Sequence, residues 1–475
     1  MEKKIHLGYR YKLKISDGQK SFLDHHMFIY NQAYNICLNL WLKENEKNKN
    51  LPKKLKQYRS VTGYDTVVKR ALRFRKLTFS TVVTQQARIN FLKAVKRAFS
   101  KEIVSARLKA IETAQTPKEK VKANQLGMPI FKSSRDTFQS FNWHNQGFQI
   151  INDKNPKFKV IKLMKVYFRY RYCREMSSHY KITSITFSKD FTGYYVSYVV
   201  ELKKQVDLVV SSDTFDITKS IGIDLNAYNI AVSNNVDFIK ESNISDVKLG
   251  HLIDNGATNR RSLKYKSNVV VLLRKQSRRV LKALEKSKID KTKLKLGSNH
   301  RKTQSKINKL NKKIANQKSD LYHKISTALT NKFDMIVVED LKTKNMSKSS
   351  KGNEIFHGKK VKQKSGLNRT ILNASFYQFV SMIQYKTTML NDKLFVKVDP
   401  QYTSQECSSC GNIDKGNRLK QDKFKCTACG FEINPDIQAS QTILKRGLES
   451  FGLGTSLVDL DKHKAFRSET LVSAS

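Results

Sequence analysis

The chain is poor in several residue classes, and each shortage excludes something. Its 475 residues include 6 cysteines and 6 prolines, which argues against a disulfide-built secreted fold and against proline-rich linkers. It has no run of about 18 apolar residues, so we expect no membrane span. The first residues lack the apolar stretch of a signal peptide, so we expect a protein that stays in the reducing cytoplasm.

Acidic residues are also scarce. The chain has 40 Asp and Glu against 90 Lys and Arg, a formal net charge of +50 and a pI of about 10.0. A well-solvated surface usually carries both signs in comparable amounts, so this excess predicts a polyanionic partner held through its phosphates. Hydrophobic residues make up 39% of the chain, which suffices for packed cores in about two to four domains.

Four of the cysteines form two closely spaced pairs. Cys407-x2-Cys410 is followed after fifteen residues by Cys426-x2-Cys429. A disulfide framework would fit poorly in a long lysine-rich chain without a signal peptide. The spacing is that of a zinc ribbon, in which four thiolates hold one structural Zn²⁺ tetrahedrally. We therefore predict that these four cysteines bind zinc.

The N-terminal part alternates between strand and helix patterns. Apolar and basic residues alternate over 5–15, which predicts a strand, and helical spacing dominates 16–124. The aromatic residues of these helices could stack on bases, but a packed core is the better interpretation. Strand patterns return from about 127, including Pro129-Ile130-Phe131-Lys132, with a hairpin over 182–201.

Two segments are candidates for nucleic-acid contact. Basic and aromatic residues interleave over 159–174, which fits either a surface that grips a phosphate backbone or the solvated side of a strand. Residues 260–318 hold 21 Lys or Arg and two acids, with apolar seams that include Leu273 and Ile307 and predict an antiparallel helical hairpin. A charge run is often only a solvated face, but the shortage of acids favours phosphate contact. The candidate contacts are Arg169, Arg171, Arg274, Lys275, Arg278 and Arg279.

Three acids stand at the ends of predicted elements. Asp224 follows the apolar run Ile-Gly-Ile, and burying it without a partner would cost several kcal/mol, so it needs a cation, hydrogen bonds or the surface. Glu339 ends the apolar run Met-Ile-Val-Val, at the place where α/β sheets position functional groups. Asp436 follows Asn434 and Pro435, an N-cap and first-turn pattern, and could be simply a first-turn acid that the helix dipole favours.

These acids can form one site if the fold brings them together. Two Mg²⁺ ions about 3.5–4 Å apart stabilise the attacking and leaving oxygens of phosphodiester displacement, and Mg²⁺ prefers oxygen ligands. A ribonuclease-H-like sheet would produce such convergence, although spacing alone does not establish it. Asp224, Glu339 and Asp436 are therefore candidates for catalytic magnesium ligands.

The chain resembles TnpB, a family of transposon-encoded RNA-guided DNA endonucleases related to the small type V CRISPR effectors. The resemblance spans nearly the whole chain, and its most specific part is the order of the three acids around the cysteine pairs. The acids lie in the sequences GIDLN, VVEDL and PDIQAS, and Thr403-Ser404-Gln405 precedes the cysteines. Asn226 stands where a glycine is usual, and Gln438-Ala439-Ser440 replaces the common Asn-Ala-Ala.

The resemblance implies a multidomain α/β and β protein. A wedge β-barrel would combine 1–15 with 125–215, and a helical recognition domain would be inserted at 16–124. A RuvC-like, ribonuclease-H-like nuclease domain would occupy 216–404 and 432–475 and include the basic hairpin. A target-nucleic-acid-binding zinc ribbon would be inserted at 405–431. The guide–DNA duplex would lie in a basic channel between the lobes.

The implied function is RNA-guided cleavage of double-stranded DNA beside a short adjacent motif. The implied cofactors are Zn²⁺, Mg²⁺ and a guide RNA, and the partners are that RNA and the target DNA, with a monomeric protein favoured and a prokaryotic, nucleoid-associated location. One alternative is a small type V CRISPR effector with a crRNA guide. Another is a nuclease-dead repressor, which would be expected to have lost an acid. A structural RNA-binding zinc protein would leave Asp224 and Glu339 unexplained.

Overall fold

The computed structural model describes residues 2–52, 55–114, 116–133, 138–144, 147–173, 176, 181–205, 217–227, 229–234, 252–254, 260–287, 297–352, 358–389, 393–418 and 422–450. The chain forms two compact units, Met1–Gln205 and Val206–Ser475, and both combine helices with β-sheet. Across these described ranges, every helix is too short or too polar to cross a membrane.

The first unit is built on a seven-stranded antiparallel sheet in the order β2-β6-β7-β1-β5-β4-β3. Its long first strand pairs with β7 on one side and β5 on the other, and alternate side chains such as Tyr9 and Tyr11 are buried, which confirms the predicted strand. The strands are β1 (Glu2–Lys14), β2 (Gln139–Trp143), β3 (Phe148–Asn152), β4 (Phe158–Leu163), β5 (Val166–Arg171), β6 (Lys181–Asp190) and β7 (Gly193–Gln205).

Five helices lie between β1 and β2 in the chain. Ser16 caps the first helix in a capping box with Gln19, and the aromatic side chains of Tyr30, Tyr34 and Trp41 are buried, so they pack a core. The helices are α1 (Asp17–Lys47), α2 (Val61–Phe74), α3 (Thr81–Ala98), α4 (Lys101–Glu112) and α5 (Pro117–Asn124).

The strand pattern over 129–132 was wrong, because these residues lie outside any strand. The side chain of Asn35 on α1 replaces a strand partner there. Its amide donates to the Lys132 carbonyl at 2.8 Å, and its oxygen accepts from the Lys132 N–H at 2.8 Å. The Asn35 side chain thus forms the hydrogen bonds to the Lys132 N–H and carbonyl that a neighbouring strand would otherwise form.

The second unit contains a five-stranded sheet in the order β10-β9-β8-β11-β12. The three strands β8, β11 and β12 are parallel. Strand β9 is antiparallel to β8, and β10 is antiparallel to β9, so β10 runs in the same direction as β8. The parallel strands β8 and β11 are buried along their whole length, as expected for strands covered on both faces. The strands are β8 (Ser220–Leu225), β9 (Asn229–Val232), β10 (Leu252–Asp254), β11 (Met335–Glu339) and β12 (Leu394–Val398).

Helices cover both faces of this sheet. Ile223 and Val338 belong to one core with α7 and α10, and Val337 packs on the other face against Leu444 and the rest of α11. The helices are α6 (Arg260–Ser287), α7 (Ser298–Lys332), α8 (Thr343–Met346), α9 (Val361–Ala374), α10 (Phe376–Met389) and α11 (Pro435–Glu449). A short hairpin of β13 (Phe424–Lys425) and β14 (Glu432–Ile433) lies in the cysteine-containing segment.

The predicted basic hairpin is confirmed as α6 and α7, and Ile307 of the predicted seam is buried, but Leu273 departs from the prediction. Leu273 does not lie in the seam and is 45% exposed. Polar groups occupy part of the contact instead, because the Gln276 amide donates to Gln304 at 2.8 Å and the Arg279 guanidinium donates to the Thr303 hydroxyl at 2.6 Å. These hydrogen bonds satisfy polar groups that would otherwise be buried without partners.

Candidate acid site and cysteine cluster

Two of the three predicted acids lie on neighbouring parallel strands. Ile223 on β8 pairs with Val338 on β11, so the next residues in each strand, Asp224 and Glu339, lie side by side at the carboxyl edge of the sheet. Both side chains are largely buried, at 9% and 8% exposure. The same edge is where open α/β sheets position functional groups.

The third acid reaches this edge on α11. The Asn434 side chain accepts hydrogen bonds from the backbone N–H groups of Asp436 at 3.0 Å and Ile437 at 3.3 Å, so it caps the helix. The helix lies directly on the sheet at Gly222, where an added Cβ would be 2.1 Å from the Ser440 carbonyl oxygen. The strand therefore needs a glycine for α11 to approach closely.

The three acids influence one another electrostatically. Burial, together with the negative charges of Glu339 and Asp436, raises the pKa of Asp224 to about 7. The Asn226 amide opposes this shift by donating to Asp224 Oδ2 at 2.9 Å. Burial also raises the pKa of Glu339. The cluster thus holds negative charge that its surroundings compensate only in part.

Among the described residues, Thr403, Asn226 and Arg418 have side chains that contact these acids. The Thr403 hydroxyl donates to Glu339 Oε1 at 2.6 Å, and Thr403 belongs to the triplet that carried the family resemblance. Asn226, which departs from the usual glycine, donates to Asp224 as described above. Arg418 lies beside Asp436, with Nη2 3.5 Å from Oδ1, and no local pattern in the sequence marked it.

The segment that carries Thr403 is tied to α11. The Arg446 guanidinium pairs with Glu406 at 2.6 Å and donates to the backbone carbonyls of Asp399 at 2.9 Å and Gln401 at 2.8 Å. The side chain of Gln438 also donates to the Glu406 carbonyl. One helix therefore supplies Asp436 and fixes the segment that orients Glu339.

The four predicted zinc ligands converge. The Sγ atoms of Cys407, Cys410, Cys426 and Cys429 all lie within 4.8 Å of one another, and none is in a disulfide. Four thiol groups at this separation fit one tetrahedral Zn²⁺. In the part of the chain that the structure describes, this is the one group of three or more potential ligand side chains gathered closely enough to hold a single ion. The carboxylate oxygens of the three acids therefore lie farther apart than the ligands of a single ion would.

The predicted basic contacts fall into two groups. Arg169 forms a two-pronged ion pair with Asp153 at 2.7 and 2.9 Å, so its charge is largely compensated, and Arg279 is turned into the seam between α6 and α7. The others are exposed and remain candidates for phosphate contact. They are Arg171, Arg274, Lys275 and Arg278.

Two family models match parts of the chain. A model described as a probable transposase, OrfB_IS605, matches residues 197–350 and so covers Asp224 and Glu339. A model described as the Cas12f1-like TNB domain matches residues 376–443 and covers the four cysteines and Asp436. The two matches together contain every residue of the acid site and the cysteine cluster.

Individual relatives agree with these models. An Escherichia coli (strain K12) protein named "Putative RNA-guided DNA endonuclease InsQ" is 41% identical over 155 residues, which are 33% of this chain and 38% of that protein. The matched region thus spans well under half of that relative's length. A Streptomyces pristinaespiralis protein of the same description is 23% identical over 382 residues, 80% of each chain.

The fold also has a solved counterpart. The protein chain in the cryo-EM structure of the Cas12f1-sgRNA-target DNA complex superposes with a TM-score of 0.50 over 90% of this chain and 83% of that chain. At 14% identity this likeness concerns the fold alone. The two family matches and the two relatives support the TnpB family for this chain.

Proposed function

We propose that this protein is an RNA-guided DNA endonuclease that cuts double-stranded DNA beside a short adjacent motif. Its single catalytic site would consist of Asp224, Glu339 and Asp436. The observation that carries the proposal is the convergence of these acids, expressed in a pKa of about 7 for Asp224 that burial and the two neighbouring carboxylates raise. Perturbed carboxylates gathered in one place are typical of catalytic sites.

The proposed domains follow the family. The mixed five-stranded sheet with α11 would be the RuvC-like nuclease domain, 216–404 and 432–475, and 405–431 would be an inserted zinc ribbon that contacts target nucleic acid. The antiparallel sheet would be the wedge barrel, 1–15 and 125–215, because β1 pairs with β5 and β7 although α1–α5 separate them in the chain. Those helices, within 16–124, would be the recognition domain.

The acids fit magnesium by their chemistry, because Mg²⁺ takes carboxylate oxygens and keeps several waters. When bound, a pair of such ions would stabilise the attacking and leaving oxygens at the scissile phosphate. Thr403 and Asn226 would hold Glu339 and Asp224 in orientation through their hydrogen bonds. Arg418, beside Asp436, would offer a cation to the DNA phosphate.

The proposed partners are a guide RNA and its DNA target. The net charge of +50 supports phosphate-mediated binding of both, and the relatives' names supply the RNA guide. In such systems base pairing reads the target and the protein reads the adjacent motif. A monomer acting at the nucleoid is the simplest form of this function, and a TnpB-type guide is favoured over a crRNA.

The test uses the ribonucleoprotein purified with its own RNA. That RNA is sequenced and used to define a matched DNA target. Asp224→Asn, Glu339→Gln and Asp436→Asn should each abolish Mg²⁺-dependent cleavage while guided DNA binding persists. Asp340→Asn is the matched control, because Asp340 adjoins Glu339 but pairs with Lys342 and Lys397.

Three results would contradict the proposal. Cleavage near the wild-type rate in one of the three acid variants would remove that residue from the site. Guided binding by the wild-type protein without any cleavage would indicate a repressor. A purified protein without a specific RNA would refute RNA guidance.

A further inference from the structure

A cavity opens between α6 and α7 that the proposed catalytic site does not use. Its volume is about 420 Å³, and Val271 and Leu272 of α6 and Leu310 of α7 form its apolar walls. This volume lies in the range of small-molecule sites in proteins. Next to it, the hydrogen bond from Gln276 to Gln304 clamps the two helices together. The cavity is therefore part of a fixed helical hairpin.

Three lysines of α7 are among the residues that line this cavity. Lys306, Lys309 and Lys313 line it from successive turns of one face of α7, and Lys313 lies over the ring of Tyr265 at 5.4 Å. No acidic residue is among the lining residues. A molecule that combines an apolar body with negative charge would therefore complement this lining.

One neutral polar side chain completes the lining. The Asn268 amide can donate and accept hydrogen bonds at the wall of the cavity. A nucleobase in a strand has apolar faces, a hydrogen-bonding edge and a phosphate on either side. Lysines are suited to the phosphates, the apolar walls to the faces and the amide to the edge.

We propose that this cavity binds one unstacked nucleobase of the guide RNA, with the flanking phosphates held by the three lysines. RNA is the favoured source because its loops and bulges present unpaired bases, whereas the bases of duplex DNA are stacked and paired. The inference rests on the proposed function, since it requires an RNA partner. It assigns to the hairpin a base-binding site in addition to phosphate contacts.

Two adjacent valines allow a matched test. Val271 lines the cavity, and Val270 is a comparably exposed neighbour that does not, at 58% and 45% exposure. Val271→Trp should fill the cavity and Val270→Trp should leave it open. Binding of the copurified RNA is then measured at several salt concentrations for both variants.

The expected results distinguish the loss of a base contact from the loss of a phosphate contact. Val271→Trp should weaken RNA binding between about 5-fold and 150-fold, the range for removing one stacked base, with an unchanged salt dependence. Val270→Trp should bind like wild type. The double variant Lys306→Gln, Lys309→Gln should weaken RNA binding and reduce its salt dependence. The slope of log K against log salt should flatten by about 0.7 for each lost single-strand phosphate contact.

A second measurement needs no substitution. Protein purified from cells fed 4-thiouridine is irradiated, and the peptides cross-linked to RNA are identified. Peptides covering 268–272 or 306–313 should be among them. Cross-links elsewhere together with equal RNA affinity of the two tryptophan variants would overturn the proposal, as would occupation of the cavity by DNA or by a protein segment.

Failure of this inference is distinguishable from failure of the proposed function. A protein that carries a specific RNA and cuts the matched DNA, but whose Val271→Trp and Val270→Trp variants bind RNA equally, refutes the base-binding cavity alone. A protein without a specific RNA refutes the proposed function and this inference together.

Discussion

Replacing Gly222 by alanine should inactivate the protein without altering any acid. An alanine Cβ at this position would lie 2.1 Å from the Ser440 carbonyl oxygen and 2.7 Å from the Leu444 nitrogen, both in the backbone of α11. Carbon and oxygen atoms in close contact remain about 3.3 Å apart. Because backbone atoms cannot rotate away, α11 would have to retreat by roughly 1 Å.

The retreat should have two measurable effects. Overpacking of this kind lowers the free energy of unfolding by about 1–3 kcal/mol. Because β8 and β11 would then open more often, their backbone amides should exchange hydrogen roughly 5-fold to 150-fold faster. Asp436 would move with the helix, and a misplacement of about 1 Å in a catalytic group can cost on the order of 100-fold in rate. We therefore expect severe loss of DNA cleavage with guided binding retained.

Hydrogen exchange followed by mass spectrometry is the suitable assay. Both tryptophans, Trp41 and Trp143, lie in the first unit, so tryptophan fluorescence would report on the wrong half of the chain. Peptides covering 220–225 and 335–339 should lose protection in Gly222→Ala. Gly8→Ala is the control, because Gly8 is also in a strand and a Cβ there would meet nothing within 4 Å.

The outcomes distinguish packing from positioning. Unchanged protection and unchanged cleavage in Gly222→Ala would refute the close approach of α11 to β8. Faster exchange with unchanged cleavage would refute the role of α11 in placing Asp436. Gly8→Ala should leave both cleavage and the exchange of 220–225 and 335–339 at wild-type levels.

Two further predictions concern the groups that support the site. Thr403→Val removes the hydroxyl that donates to Glu339. The single-turnover rate of cleavage should fall about 10-fold to 100-fold, as is usual when a partner of a metal ligand is lost. Thr403→Ser keeps a hydroxyl and should retain most of the wild-type rate. Elemental analysis of protein purified without chelator should find one zinc per chain, and Cys426→Ser should lose it because three thiolates bind zinc more weakly than four.

Each of these two predictions can be contradicted by a specific result. Equal cleavage rates for Thr403→Val and wild type would show that this hydrogen bond does not orient Glu339. Zinc retained in Cys426→Ser, or absent from the wild-type protein, would refute the cysteine site. Cys37→Ala is the matched control, since Cys37 is a buried cysteine outside the cluster and its loss should leave the zinc content unchanged.

Local patterns in the sequence were enough to predict the elements on which the acids lie. The apolar runs before Asp224 and Glu339 are strands, and Asn434 caps a helix as its position before Pro435 indicated. These features depend on periodicity and capping, which act over a few residues. The hairpin of α6 and α7 was predictable for the same reason, and so was the burial of Ile307. The exposure of Leu273 was not, and hydrogen bonds between polar side chains form part of the contact instead.

The cysteine spacing and the order of the acids were likewise determined by the sequence, and they carried the resemblance to the TnpB family. Only the tertiary structure decided that Asp224 and Glu339 lie side by side, because this depends on the parallel register of β8 and β11. The position of Arg418 beside Asp436 and the cavity between α6 and α7 likewise became visible only in the tertiary structure. Contacts between distant segments follow from strand register and close packing, which no local pattern encodes.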